Sequence, residues 1–191
     1  MIYIIQTSSL IAKDFEKRQE QYTKGINSVI KRYENNENIK IVIVENNGNR
    51  TTFLDNFGVP VLYTENNKYP TNNIGAKEIL DVFACINYFG IQDEDFIVKF
   101  GARYHVVDDC PFFDQLDKNI DYDCIAKEIN ERDYFTGLIG MRCKYVKQIK
   151  IPNGENIELM WANVGKTLKN KLLIPIIGMN ICPNSHEFFL Y

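Results

Sequence analysis

No stretch of these 191 residues approaches the roughly 18 consecutive apolar residues that span a bilayer, so no membrane span is expected. The opening Met1-Ile2-Tyr3-Ile4-Ile5 is too short for a secretory signal and runs straight into polar residues. Neither sign of charge dominates: a formal net charge of -3 gives no global attraction to nucleic acid or to an anionic membrane. The three lysines of Lys144–Lys150 read as a solvated face. Cysteine is sparse and unpatterned. Cys85, Cys110, Cys124, Cys143 and Cys182 are odd in number, widely spaced and free of any C-x-x-C pair, which argues against a disulfide framework or a zinc site. His105 and His186 are the only histidines, lie far apart and sit in no H-E-x-x-H frame, so both read as structural. G-x-S-x-G, P-loop and Cys-His patterns are missing, leaving hydrolase and ATPase readings without support. These absences describe a soluble, cytoplasmic chain with reduced thiols.

What is present is a packed globule: 45% of residues are apolar and 13% aromatic. At this length a single domain, spanning residues 1–191, buries about 70% of the surface its unfolded chain exposes. Ile2–Ile5 reads as a strand opening into the polar Gln6-Thr7-Ser8-Ser9. Tyr22, Ile26, Val29, Ile30 and Tyr33 fall at helical spacing and predict a helix from Asp14 to Tyr33. Ile39–Val44 is a second strand, stopped by Glu45-Asn46-Asn47-Gly48. A short helix over Thr51–Phe57, stopped by Gly58, precedes a third strand, Val59–Tyr63. After the polar loop Thr64–Asn73, Ile79, Val82, Phe83, Ile86 and Phe89 line one face of a helix ending at Gly90, and Phe96–Phe100 is the fourth strand. Strands alternating with helices specify an α/β fold with a parallel, right-handed sheet over the first hundred residues. The second half reads as mixed: Tyr122–Ile129 and Phe135–Met141 as longer, more exposed strands, and Asn156–Leu168 as a helix. From Leu172 the apolar pieces are cut by Pro175, Gly178 and Pro183.

In such folds ligands bind at the carboxyl edge of the sheet. Here that edge carries Asn72-Asn73-Ile74-Gly75-Ala76-Lys77-Glu78 and Lys99-Phe100-Gly101-Ala102-Arg103-Tyr104. From Ile2 to Tyr104, with a weaker echo to Leu168, the order of these signals resembles a GT-A glycosyltransferase, the nucleotide-diphospho-sugar transferase fold. The resemblance rests on the first strand ending in Gln6-Thr7-Ser8 and the second ending in Glu45. It continues with the helix start Asn73-Ile74-Gly75 and a strand entered through Asp93-Glu94-Asp95. It implies a Rossmann-like, mostly parallel sheet flanked by helices, in which residues 1–104 form a nucleotide-sugar-binding half and 105–191 an acceptor-side half. It also implies that Gln6, Thr7 and Glu45 serve base and ribose, with Asn73, Gly75 and Lys77 near the diphosphate. In that family the fourth strand ends in D-x-D, whose carboxylates hold a divalent cation. Gly101-Ala102-Arg103 occupies that position here, within a run resembling a K-x-x-G-R-Y variant of some viral and bacterial relatives.

A leaving diphosphate must be neutralised by a cation or by fixed positive side chains. Arg103 offers a permanent charge and a planar fork of donors, Lys99 a second charge and Tyr104 a ring to stack. Manganese or magnesium dependence stays open, with Asp108-Asp109 as a displaced acidic pair. Inverting members of the family use a carboxylate base. The matching region, Gly154-Glu155-Asn156-Ile157-Glu158, makes Glu158 the first candidate and Asp133 the second. Each has a plainer explanation: Glu158 complements a helix dipole, Asp133 sits in a turn, Asn73 caps a helix, and Trp161 is core rather than a stacking platform.

The implied activity is hexosyl transfer, inverting, from a UDP- or GDP-sugar to a glycan or glycosylated acceptor in glycan biosynthesis, in a host or viral cytoplasm, with no prosthetic group. A partner domain or a homo-oligomer would complete a short acceptor side. A degenerate, non-catalytic sugar-nucleotide-binding domain is the alternative. A sugar-phosphate nucleotidyltransferase is the other, although it would want a Gly-rich, basic loop after the first strand where Gln6–Leu10 stands.

Overall fold

The computed structural model describes residues 1–11, 15–48, 50–118, 121–181 and 189–190. The expected helix start at Asp14, and Cys182, Pro183 and His186, lie outside them. β1 (Ile2–Ser8), β2 (Ile39–Glu45), β3 (Val61–Tyr63) and β4 (Phe96–Gly101) pair in parallel in the order β3-β2-β1-β4, as the alternating pattern predicts. Their apolar runs are unbroken because helices cover both faces. β3 is shorter than expected: Pro60 has no N–H for a ladder, and its carbonyl instead accepts from the N–H of Ile43 at 2.9 Å. The helix expected over Thr51–Phe57 is a 3₁₀ segment, Phe53–Phe57, begun by a Thr52–Asp55 capping box and ended by left-handed Gly58.

α1 (Phe15–Tyr33) buries Tyr22, Ile26, Val29 and Tyr33 against one face of the sheet. α2 (Ile74–Tyr88) buries Ile79, Val82 and Ile86 against the other. Arg32, in the last turn of α1, reaches the carboxylates of Asp114 and Asp117 at 2.6 and 2.9 Å and ties α1 to α3 (Pro111–Leu116).

The second half is built differently from its expected form. β6 (Cys124–Ala126) and β7 (Leu138–Arg142) are short and buried, where Tyr122–Ile129 and Phe135–Met141 read as longer exposed strands. The cause is their place in the sheet. β7 runs antiparallel between β4 and β6, and β8 (Lys171–Leu173) closes the edge, giving the order β3-β2-β1-β4-β7-β6-β8. α4 (Cys143–Val146) and α5 (Ile157–Gly165) pack over one face of this half and α3 over the other. Trp161 of α5 is fully buried core. A small antiparallel sheet joins β5 (His105–Val106), β9 (Met179–Ile181) and β10 (Phe189–Leu190), and His105 pairs there with Asn180. Cys85, Cys110, Cys124 and Cys143 are buried and unbridged, and burial pushes all four thiols up. Among the described residues no helix is long and apolar enough to cross a membrane.

Candidate functional site

Parallel pairing brings the carboxyl ends of β1, β2 and β4 to one edge of the sheet. β7, being antiparallel, begins at that same edge: Leu138 pairs with Phe100, and the Gly101 N–H donates to the Gly137 carbonyl at 2.8 Å. Two helices also start there. Asn73 caps α2, its Oδ1 accepting from the Ala76 N–H at 3.1 Å, while its Nδ2 donates to the Glu155 carbonyl at 2.7 Å. Asn156 caps α5 by accepting from the Leu159 N–H at 3.0 Å. A Cβ on Gly75 would fall well inside 3.0 Å of the Ile157 side chain, so the glycine lets the two helix starts touch. Both therefore turn their partial positive ends toward one cleft of about 780 Å³, a size suited to a small organic ligand.

Thr7, Asn73, Gly75, Lys77, Lys99, Arg103, Tyr104 and Glu158 all line this cleft. Gln6, Glu45, Asp133, Asp108 and Asp109 do not. Gln6 is fully buried in β1 on the α1 face, and neither of its amide atoms has a partner among the described residues. Glu45 is fully buried and organises loops. Its carboxylate accepts from the N–H groups of Leu10 at 2.8 Å and Asn47 at 3.0 Å, and burial raises its pKa against those hydrogen bonds. Asp133 closes a turn by accepting from Asn130 Nδ2 at 2.9 Å. Asp108 and Asp109 are exposed.

Lys99 does not offer a loose charge. It is 4% exposed, ion-paired with Glu78, and donates to the Thr136 carbonyl at 2.8 Å. Lys77 is likewise engaged, donating to the carbonyl and side-chain oxygens of Asn67 at 2.6 and 3.1 Å. Glu158 is half-buried, and one carboxylate oxygen accepts from the Thr136 hydroxyl at 3.0 Å. Its other oxygen takes no hydrogen bond among the described residues. Beside the cleft, Asp81 accepts from Asn46 Nδ2, Thr64 Oγ1 and Asn66 Nδ2 at 2.8 to 2.9 Å, which fixes the loop after β3. Burial pushes its pKa up to about 6 despite those donors.

Arg103 occupies the third position of a tight turn, Gly101-Ala102-Arg103-Tyr104, closed by the Tyr104 N–H on the Gly101 carbonyl at 2.9 Å. The Ala102 N–H fastens the turn to the Thr7 carbonyl at 3.1 Å. A second arginine, Arg18 of α1, lines the same cleft, and so does Tyr22. The Tyr22 hydroxyl holds Ser9, accepting from its N–H at 2.8 Å. Helical spacing could have found Arg18, since it lies four residues from Tyr22 and seven from Gly25 on one face. The apolar stripe drew attention to Tyr22 as core instead. Thr136 carried no signal and Glu78 closed the edge run without a role, because only the antiparallel β7 and the buried Lys99 bring them into play.

The resemblance read from the sequence implies a divalent cation at the turn after β4, and the residues there do not fit one. The turn presents Arg103 and no carboxylate, and Asp108-Asp109 lies outside the cleft. Glu78 is committed to Lys99, and among the described residues no three His, Cys, Asp or Glu side chains gather as ligands.

No family model and no curated protein matches this sequence. Solved structures do match in fold. A protein from Desulfovibrio desulfuricans G20 assigned as a nucleotide-diphospho-sugar transferase aligns with a TM-score of 0.52 at 11% identity, over 91% of this chain and 79% of that one. A glycosyltransferase involved in glycosylation of the major capsid of PBCV-1 gives 0.51 at 8%, over 91% and 81%. The nucleoside-diphosphate-sugar pyrophosphorylase of Vibrio cholerae RC9 gives 0.53 at 12%, over 95% of both chains. Identities this low establish the shared α/β architecture and nothing finer.

Proposed function

We propose that this chain is a glycosyltransferase that moves a hexose from a UDP- or GDP-sugar to a hydroxyl of a glycan or glycosylated acceptor. Residues 1–104 bind the donor and 105–191 carry the acceptor side. The observation that carries the reading is the pairing, in one cleft, of an arginine at the turn after β4 with a carboxylate held by one oxygen. In the reaction the free oxygen of Glu158 takes the acceptor's hydroxyl proton. The acceptor oxygen bonds to the anomeric carbon from the face opposite the diphosphate, and the carbon–oxygen bond to phosphate breaks. The electron pair leaves with the diphosphate, whose added charge Arg103 meets with fixed donors. Attack from the opposite face inverts the anomeric centre. Thr7 and Tyr104 are assigned to the nucleoside, Lys77 to the loop over the diphosphate, and Lys99 to holding Glu78 and Thr136 in place.

The V. cholerae neighbour supports a second reading, nucleotidyl transfer, in which pyrophosphate rather than nucleoside diphosphate is released. Product analysis separates the two. Wild-type protein incubated with a sugar nucleotide and glycan acceptors should release nucleoside diphosphate at the same rate in EDTA as in manganese. The Arg103→Ala variant should lose that release by roughly a hundredfold or more, the scale of removing one preorganised donor to developing charge. EDTA-sensitive turnover would overturn the metal-free step, and pyrophosphate-dependent breakdown of the sugar nucleotide would favour the second reading.

A further inference from the structure

Resting on that reading of the cleft as a donor site, we propose that Arg18 of α1 and Arg103 of the β4–β5 turn form a two-arginine clamp for the diphosphate. The cleft then takes a nucleoside diphosphate, or inorganic pyrophosphate alone, without a divalent cation.

The two arginines are joined through the backbone. A Cβ on Gly25 would lie well inside 3.0 Å of the carbonyl oxygens of both Ala102 and Tyr104, so α1 rests directly on the turn that carries Arg103. Arg18 lies seven residues before Gly25, two helical turns along the same face and about 10 Å along the axis. The turn is held in its own right by Gly101 on Gly137, Tyr104 on Gly101 and Ala102 on Thr7. The bases of both side chains are thus fixed relative to each other, and both line the one cleft. Tyr22 lines the same cleft, and its hydroxyl responds to both. Burial raises its pKa, the Ser9 hydrogen bond opposes that, and the charges of Arg103 and then Arg18 oppose it further. Neither arginine forms an ion pair or hydrogen bond among the described residues. The other two cleft cations are engaged, Lys99 by Glu78 and Thr136, and Lys77 by Asn67. Two guanidinium groups lining one cleft, neither paired among the described residues, suit a ligand with several negative charges. The planar forks match phosphate oxygens, and the starts of α2 and α5 supply the facing positive ends.

The test is calorimetric titration of inorganic pyrophosphate, and separately of UDP, GDP and their sugar conjugates, into the full chain in EDTA. The proteins are wild type, Arg18→Gln, Arg103→Gln and the double variant, each checked for an unchanged melting temperature without ligand. Arg18→Lys is the fallback should the glutamine variant fail to fold. Wild type should bind pyrophosphate in EDTA, more weakly as salt rises. Each glutamine variant should lose roughly tenfold to a hundredfold in affinity, the double variant should show no binding, and lysine at 18 should restore part of the loss. Wild-type affinity in Arg18→Gln, or pyrophosphate binding that needs magnesium or manganese, would overturn the clamp. Sugar-nucleotide binding that survives unchanged in Arg18→Gln would remove the clamp and leave the donor reading standing. Pyrophosphate binding that depends on both arginines, with every sugar nucleotide refused, would keep the clamp and remove the donor reading.

Discussion

Glu158→Gln should retain donor affinity and lose transfer by about 10² to 10⁴-fold, the range in which a positioned general base contributes. The amide preserves the shape of the side chain, and its oxygen still accepts from the Thr136 hydroxyl. The substitution removes only the ability to take a proton. Glu158 sits in the first turn of α5, where an acid also complements the helix dipole, so stability is the control. That dipole contribution is about 0.3–1 kcal/mol and should appear as a small fall in the unfolding midpoint. Affinity is read by titration of the donor, and transfer by release of nucleoside diphosphate. Near-wild-type release would return Glu158 to the role of a helix-start acid. Loss of donor binding together with transfer would instead make it a donor ligand.

Gly25→Ala should destabilise the protein, against the ordinary preference of a helix interior. Alanine in place of glycine favours a helix by about 1 kcal/mol when nothing else is touched. Here the new Cβ meets two backbone carbonyl oxygens, those of Ala102 and Tyr104, and neither is the movable end of a side chain. Overpacking of well-packed interiors costs about 1–3 kcal/mol, and with two backbone oxygens in the way the upper end is expected. Because α1 must lift from the β4–β5 turn, the variant should also bind anions more weakly than wild type even where it remains folded. A urea midpoint equal to or above wild type would show that α1 does not rest on this turn as described.

The front half was legible because its physics is local. β1, β2 and β4 are covered on both faces and read as unbroken apolar runs. The Asn73 cap and the 3.6-residue stripes of α1 and α2 mark their helices without help from tertiary structure. The back half was not, because its pattern is set by insertion. Nothing in Leu138–Arg142 itself says that the strand slots antiparallel between β4 and β6. That single fact buries it and carries Thr136 to the cleft. For the site, the resemblance pointed to Arg103, Glu158 and Gly75, and all three line one cleft. It could not tell that Gly75 makes room for Ile157, or that Lys99 turns its charge to Glu78. Gln6 and Glu45 were assigned to base and ribose because the strands end in them, yet both side chains are fully buried. Arg18 stands in the polar run Glu16–Gln21 and reads as solvated surface, although it shares a helix face with Tyr22; the contact of Gly25 with the turn after β4 shows where that face leads.

Whether this cleft takes a nucleotide-diphospho-sugar, as proposed, is read most directly by a thermal-shift screen of UDP-, GDP-, dTDP- and CMP-sugars in EDTA and in manganese. A ligand that binds the native state raises its melting temperature by mass action. A shift is expected with the sugars of one nucleotide, of equal size in EDTA and in manganese, and lost in Arg103→Ala. No shift with any of the four, or one that Arg103→Ala leaves intact, would contradict the proposal.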